Sequence, residues 1–339
     1  MTVVNVNAEE YGHKAETLPR LSVVKDAPAA PKPRTHWTAQ ELMAAHFPAP
    51  KWAVPGIISE GVNLLCGPPK VGKSWASLDL GLAVAGGGKA FGSIDVDQGD
   101  VLYLALEDTG RRLQSRMRKL LGTDPAPAGF DLVTACPTMD RGGAEAIADW
   151  LTKHRSARLV VIDVFTKIRG QAMPGSSAYE ADYAAVNAIK HLADTFAVPF
   201  VVVHHVRKMG SEDFLSEVSG THGVAGAADA TMVLKRTRHQ ADGVLAVTGR
   251  DIDETEYAVS WDKDTGRWNL LDGNVDELTT TDTRAAIIAH LRTHEAAGPR
   301  AIAKATDINE ATVKSTCRRM KDDGILIADA RGHYAMSGE

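Results

Sequence analysis

The sequence is poor in several features that define other protein classes. It has three cysteines in 339 residues, Cys66, Cys136 and Cys317. They lie far apart, with neither a CxxC pair nor metal-site spacing, which excludes a disulfide scaffold and fits free thiols in a reducing cytosol. There is no excess of basic charge: 38 Lys and Arg stand against 43 Asp and Glu, a net charge of -5. No global positive field therefore draws nucleic acid, and any such contact has to come from local patches. Long apolar runs are missing too. The greasiest stretches, 159–162 and 198–203, are far too short to span a bilayer, and the N-terminus has no apolar core of signal-peptide type. A soluble, cytoplasmic chain without a membrane role is expected.

What is present is ordinary for a globular protein, 44% hydrophobic and 24% charged residues. The length suits about two domains at roughly 150 residues each. Residues 1–35 are polar and end in an Ala/Pro/Lys stretch, a composition that cannot bury a core and predicts a disordered leader. An amphipathic piece from Trp37 carries Leu42, Met43 and Phe47.

Strand-like apolar runs follow at 62–66, 101–106, 132–135, 159–162 and 200–203, then at 230–234, 244–248 and 257–261. Helical patterns at 75–85, 112–121, 144–154 and 181–196 separate the early ones. Continuously apolar runs alternating with helices predict a mainly parallel α/β sheet covered on both faces. The late runs lie close together, so a hairpin is expected to extend one sheet edge. After the Asp/Thr/Asn-rich stretch 273–281 the pattern changes to three helices (283–294, 299–305, 310–321) and a short strand pair. A domain boundary is placed near residue 275.

Gly67-Pro68-Pro69-Lys70-Val71-Gly72-Lys73-Ser74, followed by Trp75, fits G-x-x-x-x-G-K-[ST] in full, with an apolar strand before it and a helix after it. Glycines let backbone N–H groups converge on phosphate oxygens, and the helix N-terminus adds positive potential. Lys73 then contacts the β- and γ-phosphates, and the Ser74 hydroxyl holds Mg²⁺.

Three further strand ends carry polar groups. The run 159–162 closes on Asp163, the Walker B form, placed to hold the Mg²⁺ shell. The run 101–106 closes on Glu107 and Asp108. Glu107 is the candidate general base, while Asp108 is either its competitor or an N-cap of the next helix. The run 200–203 closes on His204 and His205, where a histidine can sense the γ-phosphate. Neighbouring strand residues point to opposite faces, so this pair is poorly placed for joint metal ligation.

In order, GPPKVGKS, LYLALED, LVVID, VVVHHVRK, GAADATMVLKR and VTGRDID resemble the RecA-like hexameric ATPases of the RepA plasmid-helicase and DnaB type, and the phage AAA-family ATPases that share that core. The resemblance covers about residues 45–272. It implies an α/β RecA-like P-loop NTPase fold over 36–273, ATP as the nucleotide, and a homo-oligomer, expected to be a hexamer, acting on DNA in replication or recombination of a mobile element. Helicase is the leading specific expectation. A RecA- or RadA-like recombination ATPase and a nucleotide-switched DNA-binding initiator are the rivals.

By position, Glu107 matches the catalytic glutamate, His205 the phosphate sensor, and Arg250 the arginine finger that reaches a neighbouring subunit's nucleotide. The plain alternative for Arg250 is an ion pair with Asp251 or Asp253. Two segments match DNA-facing loops, 167–179 with Lys167 and Arg169, and 207–223 with Arg207 and Lys208. They are neither rich in Lys and Arg nor well supplied with aromatics for stacking bases, a departure from the family's DNA-facing loops.

Residues 280–337 resemble a winged helix-turn-helix. Ile302, Ile308, Val313, Cys317, Met320 and Ile325 form its core stripe, and Asn309 is expected to cap the helix that starts at Glu310. That helix displays Lys314, Arg318, Arg319 and Lys321. From Thr279 to Glu339 nine Lys and Arg face eight Asp and Glu, a net of +1. Duplex DNA binding, partner or self-association, and a structural cap all remain open for this module.

Overall fold

In the computed structural model the described residues are 36–47, 49–170, 177–205, 224, 226–236, 242–271, 275–294, 296–322, 324–329 and 331–337, with 178, 242 and 275–282 described by backbone alone. The expected leader, Arg207 and Lys208 lie outside them. The chain divides into two units at Ala49/Pro50.

In the first unit, helix α1 (Ala39–Ala44) is opened by a capping box in which Thr38 and Glu41 satisfy each other's backbone N–H groups. None of its residues is buried, and Leu42, Met43 and Phe47 are exposed.

In the second unit the elements run β1 (Val62–Gly67), α2 (Lys73–Gly86), the small hairpin β2 (Lys89–Ala90) and β3 (Ile94–Asp95), β4 (Asp100–Ala105), α3 (Gly110–Leu121) and β5 (Phe130–Val133). They continue through α4 (Gly143–Lys153), β6 (Ala157–Asp163), α5 (Phe165–Ile168), α6 (Ala178–Phe196) and β7 (Phe200–His205). Then come β8 (Ala230–Arg236), β9 (Asp242–Gly249), β10 (Thr255–Asp262) and β11 (Arg267–Leu270).

One nine-stranded sheet has the order β11-β10-β9-β8-β1-β7-β6-β4-β5. Its pairs from β8 to β5 are parallel, whereas β9, β10 and β11 add an antiparallel extension. The expected hairpin extension is thus present and one strand longer, because β11 carries no strand pattern of its own.

Every residue of β1 is buried, as its unbroken apolar run demands. One core cluster joins the sheet to α2 and α3 through Leu78, Leu80, Leu113 and Tyr103. A second joins the other face to α4 and α6 through Ile147, Leu151, Val186 and Ile189. Burying side chains of this size contributes about 1.5–3 kcal/mol each.

Two helix boundaries differ from expectation. Helix α6 starts three residues early because Ser177 and Glu180 form a capping box. Helix α7 (Val275–Thr293) starts at Val275, so most of the expected linker 273–281 is helical. Propensity there is weak, but extending an existing helix costs little once it is nucleated.

Helices α8 (Pro299–Thr306) and α9 (Glu310–Asp322) and the hairpin of β12 (Leu326–Ala328) with β13 (Tyr334–Met336) complete the unit. They share a separate core of Ile287, Leu291, Ile302, Val313, Cys317, Met320 and Leu326. As expected, Asn309 caps α9, accepting from the Ala311 N–H at 2.8 Å.

Candidate nucleotide site

The parallel strands bring four polar strand ends to one edge. In register, Gly67 lies beside His205, and Ala105 beside Asp163. Ligands of such sheets bind beyond these carboxyl ends.

Between β1 and α2 the loop turns on two glycines. Gly67 has φ 152° and Gly72 has φ 113°. A Cβ on Gly67 would meet the Leu234 carbonyl at 2.5 Å, and one on Gly72 the Trp268 Nε1 at 2.8 Å. Both positions therefore require glycine for their conformation and for their space. Lys70, at the apex, holds φ 66° although it carries a side chain. Pro69 and Lys70 are exposed, whereas Val71 anchors the loop in the core. Trp75, half-buried, packs edge-on against Trp261 at 5.9 Å, with Arg116 and Lys119 over its ring.

Lys73 is buried, and its Nζ donates to the carbonyls of Gly67 at 2.7 Å and Pro68 at 3.0 Å. Burial pushes its ammonium down to about 8, against the opposing pull of Cys66 and Asp163. A pH prediction follows. The ammonium is what attracts phosphate, so nucleotide affinity should fall by about tenfold from pH 7 to pH 9. Stability of the nucleotide-free protein moves the other way. The folded value lies below the ordinary 10.5, so the unfolded chain binds more protons between about pH 8 and 10.5 and stability rises across that window. Titrations of a fluorescent nucleotide and thermal melts over the same pH range check both signs.

Asp163 is 7% exposed at the end of β6. Its carboxyl is hydrogen-bonded by Ser74 and by Tyr103, whose Oη donates to Oδ2 at 2.9 Å. Burial nevertheless raises its pKa above the ordinary value. These oxygens suit a hard cation: Ser74 and Asp163 would hold Mg²⁺, which supplies charge neutralisation at the phosphates. Among the described residues no three His, Cys, Asp or Glu side chains form a metal cage. Phosphate oxygens and water would complete the shell, as Mg²⁺ ordinarily requires.

Glu107 is exposed in the turn after β4, within electrostatic range of His205. Asp108, its rival, is occupied: Arg112 pairs with one oxygen at 3.0 Å and Arg116 with the other at 2.5 Å. Asp108 is not the helix cap either. Thr109 caps α3, accepting from the Arg112 N–H, because it is the residue that directly precedes Gly110. His205 is exposed beside the loop, its pKa lowered first by burial and then by Lys73. His204 points to the other face, buried, edge-on to Phe165 at 5.9 Å.

Arg250 sits at the opposite edge. Gly249 pairs with Ala230, and Ala230 pairs with Asn63 at the start of β1. Four residues of strand, about 13 Å, separate that level from Gly67. The partner of Arg250 is neither Asp251 nor Asp253. Its Nη1 meets Asp229 Oδ1 at 3.3 Å, because its backbone N–H is already pinned to the Asp229 carbonyl at 2.9 Å. Asp229 also holds Lys190 at 2.9 Å and the Val62 N–H at 2.9 Å.

Of the residues expected to meet DNA, Lys167 is exposed on α5, whereas Arg169 is tied to Asp182 on α6. Lys314, Arg318 and Arg319 are exposed on α9. Sequence reasoning misses Tyr103, Ser77 and Arg116. The only hint of Tyr103 is one hydroxyl in an otherwise aliphatic strand.

A phosphate loop, a carboxylate-ended neighbour strand and a RecA-like sheet define a P-loop ATPase. The sequence matches the AAA domain family over residues 27–211, more than half of the chain, and the protein belongs to that family. The match contains the phosphate loop, Glu107, Asp163 and His205, and ends before Arg250. No curated protein matches the sequence.

Two solved structures share the fold. An ATPase domain solved as a separate piece superposes with a TM-score of 0.52 at 13% identity, covering 63% of this chain and 85% of that one. A DnaB-like replicative helicase, solved in a study of its interactions with primase, gives 0.53 at 12% identity, covering 64% of this chain and 58% of that one. Among the described residues no helix is long and apolar enough to cross a membrane.

Proposed function

We propose that this ATPase is a Mg²⁺-dependent motor on DNA, a helicase-like hexamer of a phage or other mobile element, working where cytoplasmic ATP is available. Its catalytic sites lie between subunits. The observation that carries this reading is the position of Arg250. An arginine at the far sheet edge cannot serve a nucleotide at its own Gly67–Ser74 loop, yet a neighbour stacked head-to-tail can receive it. A guanidinium delivered there neutralises charge on the γ-phosphate and couples turnover to assembly. Asp163 and Ser74 hold the metal, Lys73 the phosphates, Glu107 orients the attacking water, and His205 reports on the γ-phosphate. Likeness of fold to a replicative helicase supports the DNA-directed role by analogy alone.

Residues 280–337 act as a winged helix-turn-helix, with α9 as the element that meets duplex DNA. The exposed Lys314, Arg318 and Arg319 on that helix also favour the second reading, a nucleotide-switched DNA-binding protein with slow turnover.

ATP hydrolysis with and without single-stranded and duplex DNA, alongside strand displacement, separates the two. The motor predicts severalfold stimulation by single strands and ATP-dependent displacement. Turnover indifferent to single strands, with duplex binding that survives high salt, would favour the switch, since non-specific phosphate binding falls steeply with salt.

A further inference from the structure

We propose that Tyr103 is a positioning residue of the ATPase site, setting the direction of the Asp163 carboxylate through a hydroxyl relay from Ser77. The proposal rests on the reading of Asp163 as the residue that holds the metal–nucleotide.

The relay spans three elements. Tyr103 stands on β4, paired with Val161 of β6. Asp163 lies two residues beyond Val161 and so faces the same side of the sheet. Across that face, Ser77 stands one turn into α2, the helix that carries Lys73 and Ser74. All three side chains are buried: Ser77 at 0%, Tyr103 at 1% and Asp163 at 7% exposure.

Tyr103 Oη lies 2.9 Å from Asp163 Oδ2 and 2.9 Å from Ser77 Oγ. A hydroxyl has one proton, and a carboxylate only accepts. The tyrosine proton therefore goes to Asp163, and Ser77 must donate to Tyr103. Contacts from Tyr103 and from Ser77 to the Ser74 carbonyl are both longer, at 3.4 Å. Chained donors polarise one another, which strengthens the terminal bond to the charged group.

A carboxylate held by one hydrogen bond can still turn about its terminal bond. Asp163 has two from different directions, Ser74 at the phosphate loop and Tyr103 behind it. When a metal takes over the Ser74 hydroxyl, Tyr103 is the contact that remains and keeps one oxygen back, leaving the other to face the metal shell. Phe130 packs on the Tyr103 ring at 6.1 Å and holds it in place. A tyrosine that merely fills the core would need no such alignment with Asp163.

The test uses the full chain, wild type against Tyr103→Phe, which keeps the ring and removes the hydroxyl. A fluorescent ATP analogue is titrated in Mg²⁺ and in EDTA, and ATP hydrolysis is followed against Mg²⁺ concentration. Loss of a hydrogen bond to a charged group predicts that Mg²⁺ strengthens nucleotide binding about tenfold less in the variant. Affinity in EDTA should stay within about twofold, and half-saturating Mg²⁺ for turnover should rise by a similar tenfold factor.

If wild type binds nucleotide more tightly with Mg²⁺ and Tyr103→Phe does so equally, Tyr103 only fills the core and the proposal fails by itself. If Mg²⁺ changes nothing in wild type, the reading of Asp163 falls and takes the proposal with it. Should Tyr103→Phe not fold, Ser77→Ala carries the test. It weakens the relay from behind, and a smaller loss of Mg²⁺ dependence in the same direction supports the proposal, whereas none overturns it.

Discussion

Arg250→Ala is expected to lower kcat for ATP by about 10³-fold or more while leaving nucleotide binding and assembly intact, the effect an arginine finger has elsewhere in phosphoryl transfer. The argument is topological. β9 runs antiparallel to β8, so its C-terminal residue, Gly249, ends at the level where β1 begins. Arg250 thus emerges beneath the sheet, while its own phosphate loop lies above it.

Within one chain the guanidinium has a resting partner in Asp229, a carboxylate already shared with Lys190 and the Val62 N–H. That contact is long, at 3.3 Å, and the Arg250 side chain is 63% exposed. An exposed pair of this kind contributes about 0–1 kcal/mol. Releasing the arginine toward a neighbour's nucleotide therefore costs little, and if the ion pair were its only role, Arg250→Ala would leave kcat nearly unchanged. Steady-state hydrolysis with sedimentation of the same sample distinguishes a lost finger from a lost oligomer.

Glu107→Gln is expected to reduce kcat by about 10²–10⁴-fold with little change in ATP affinity, as befits removal of a general base. The geometry separates Glu107 from its neighbour. Asp108 spends both oxygens on Arg112 and Arg116, so it is not free to take a proton from water. Glu107 uses its backbone carbonyl, not its carboxylate, to accept from Arg112 at 2.7 Å. Its side chain is exposed at the same sheet edge as Asp163 and His205. Asp108→Asn should consequently cost less activity than Glu107→Gln. Equal losses, or the reverse order, would move the base to Asp108. Single-turnover rates at saturating ATP provide the comparison, because they exclude effects on nucleotide binding and release.

Local chemistry makes much of this legible in the sequence. The phosphate loop is written in contiguous residues whose roles follow from backbone conformation, and the structure places Gly67 and Gly72 at conformations that only glycine adopts easily. Strands β1, β6 and β7 are readable because they are buried on both faces and need no alternation. Strand β11 is not, because Arg267-Trp268-Asn269-Leu270 shows no pattern of its own and is defined by pairing with β10.

The hydroxyl relay stays hidden in the sequence for a related reason. Ser77, Tyr103 and Asp163 are separated by 26 and 60 residues and meet only through sheet register and the seat of α2. Likewise Asp229, the partner of Arg250, lies 21 residues away, whereas proximity along the chain favours Asp251 and Asp253. The caps of α3 and α6 are a different matter, since T-x-x-R and S-x-x-E signals stand in plain view at Thr109 and Ser177.

The central claim is that one subunit completes the site of the next, and a mixing experiment tests it most directly. Lys73→Ala removes the phosphate contact but keeps Arg250, and Arg250→Ala does the reverse. Each protein alone should be nearly inactive. In a one-to-one mixture of head-to-tail oligomers, about a quarter of the interfaces pair an intact Lys73 with an intact Arg250. The account predicts that ATP hydrolysis reappears in the mixture, at roughly a quarter of the wild-type rate per subunit if interfaces act independently. A mixture whose subunits demonstrably exchange, yet which hydrolyses no more ATP than the two variants apart, would contradict it.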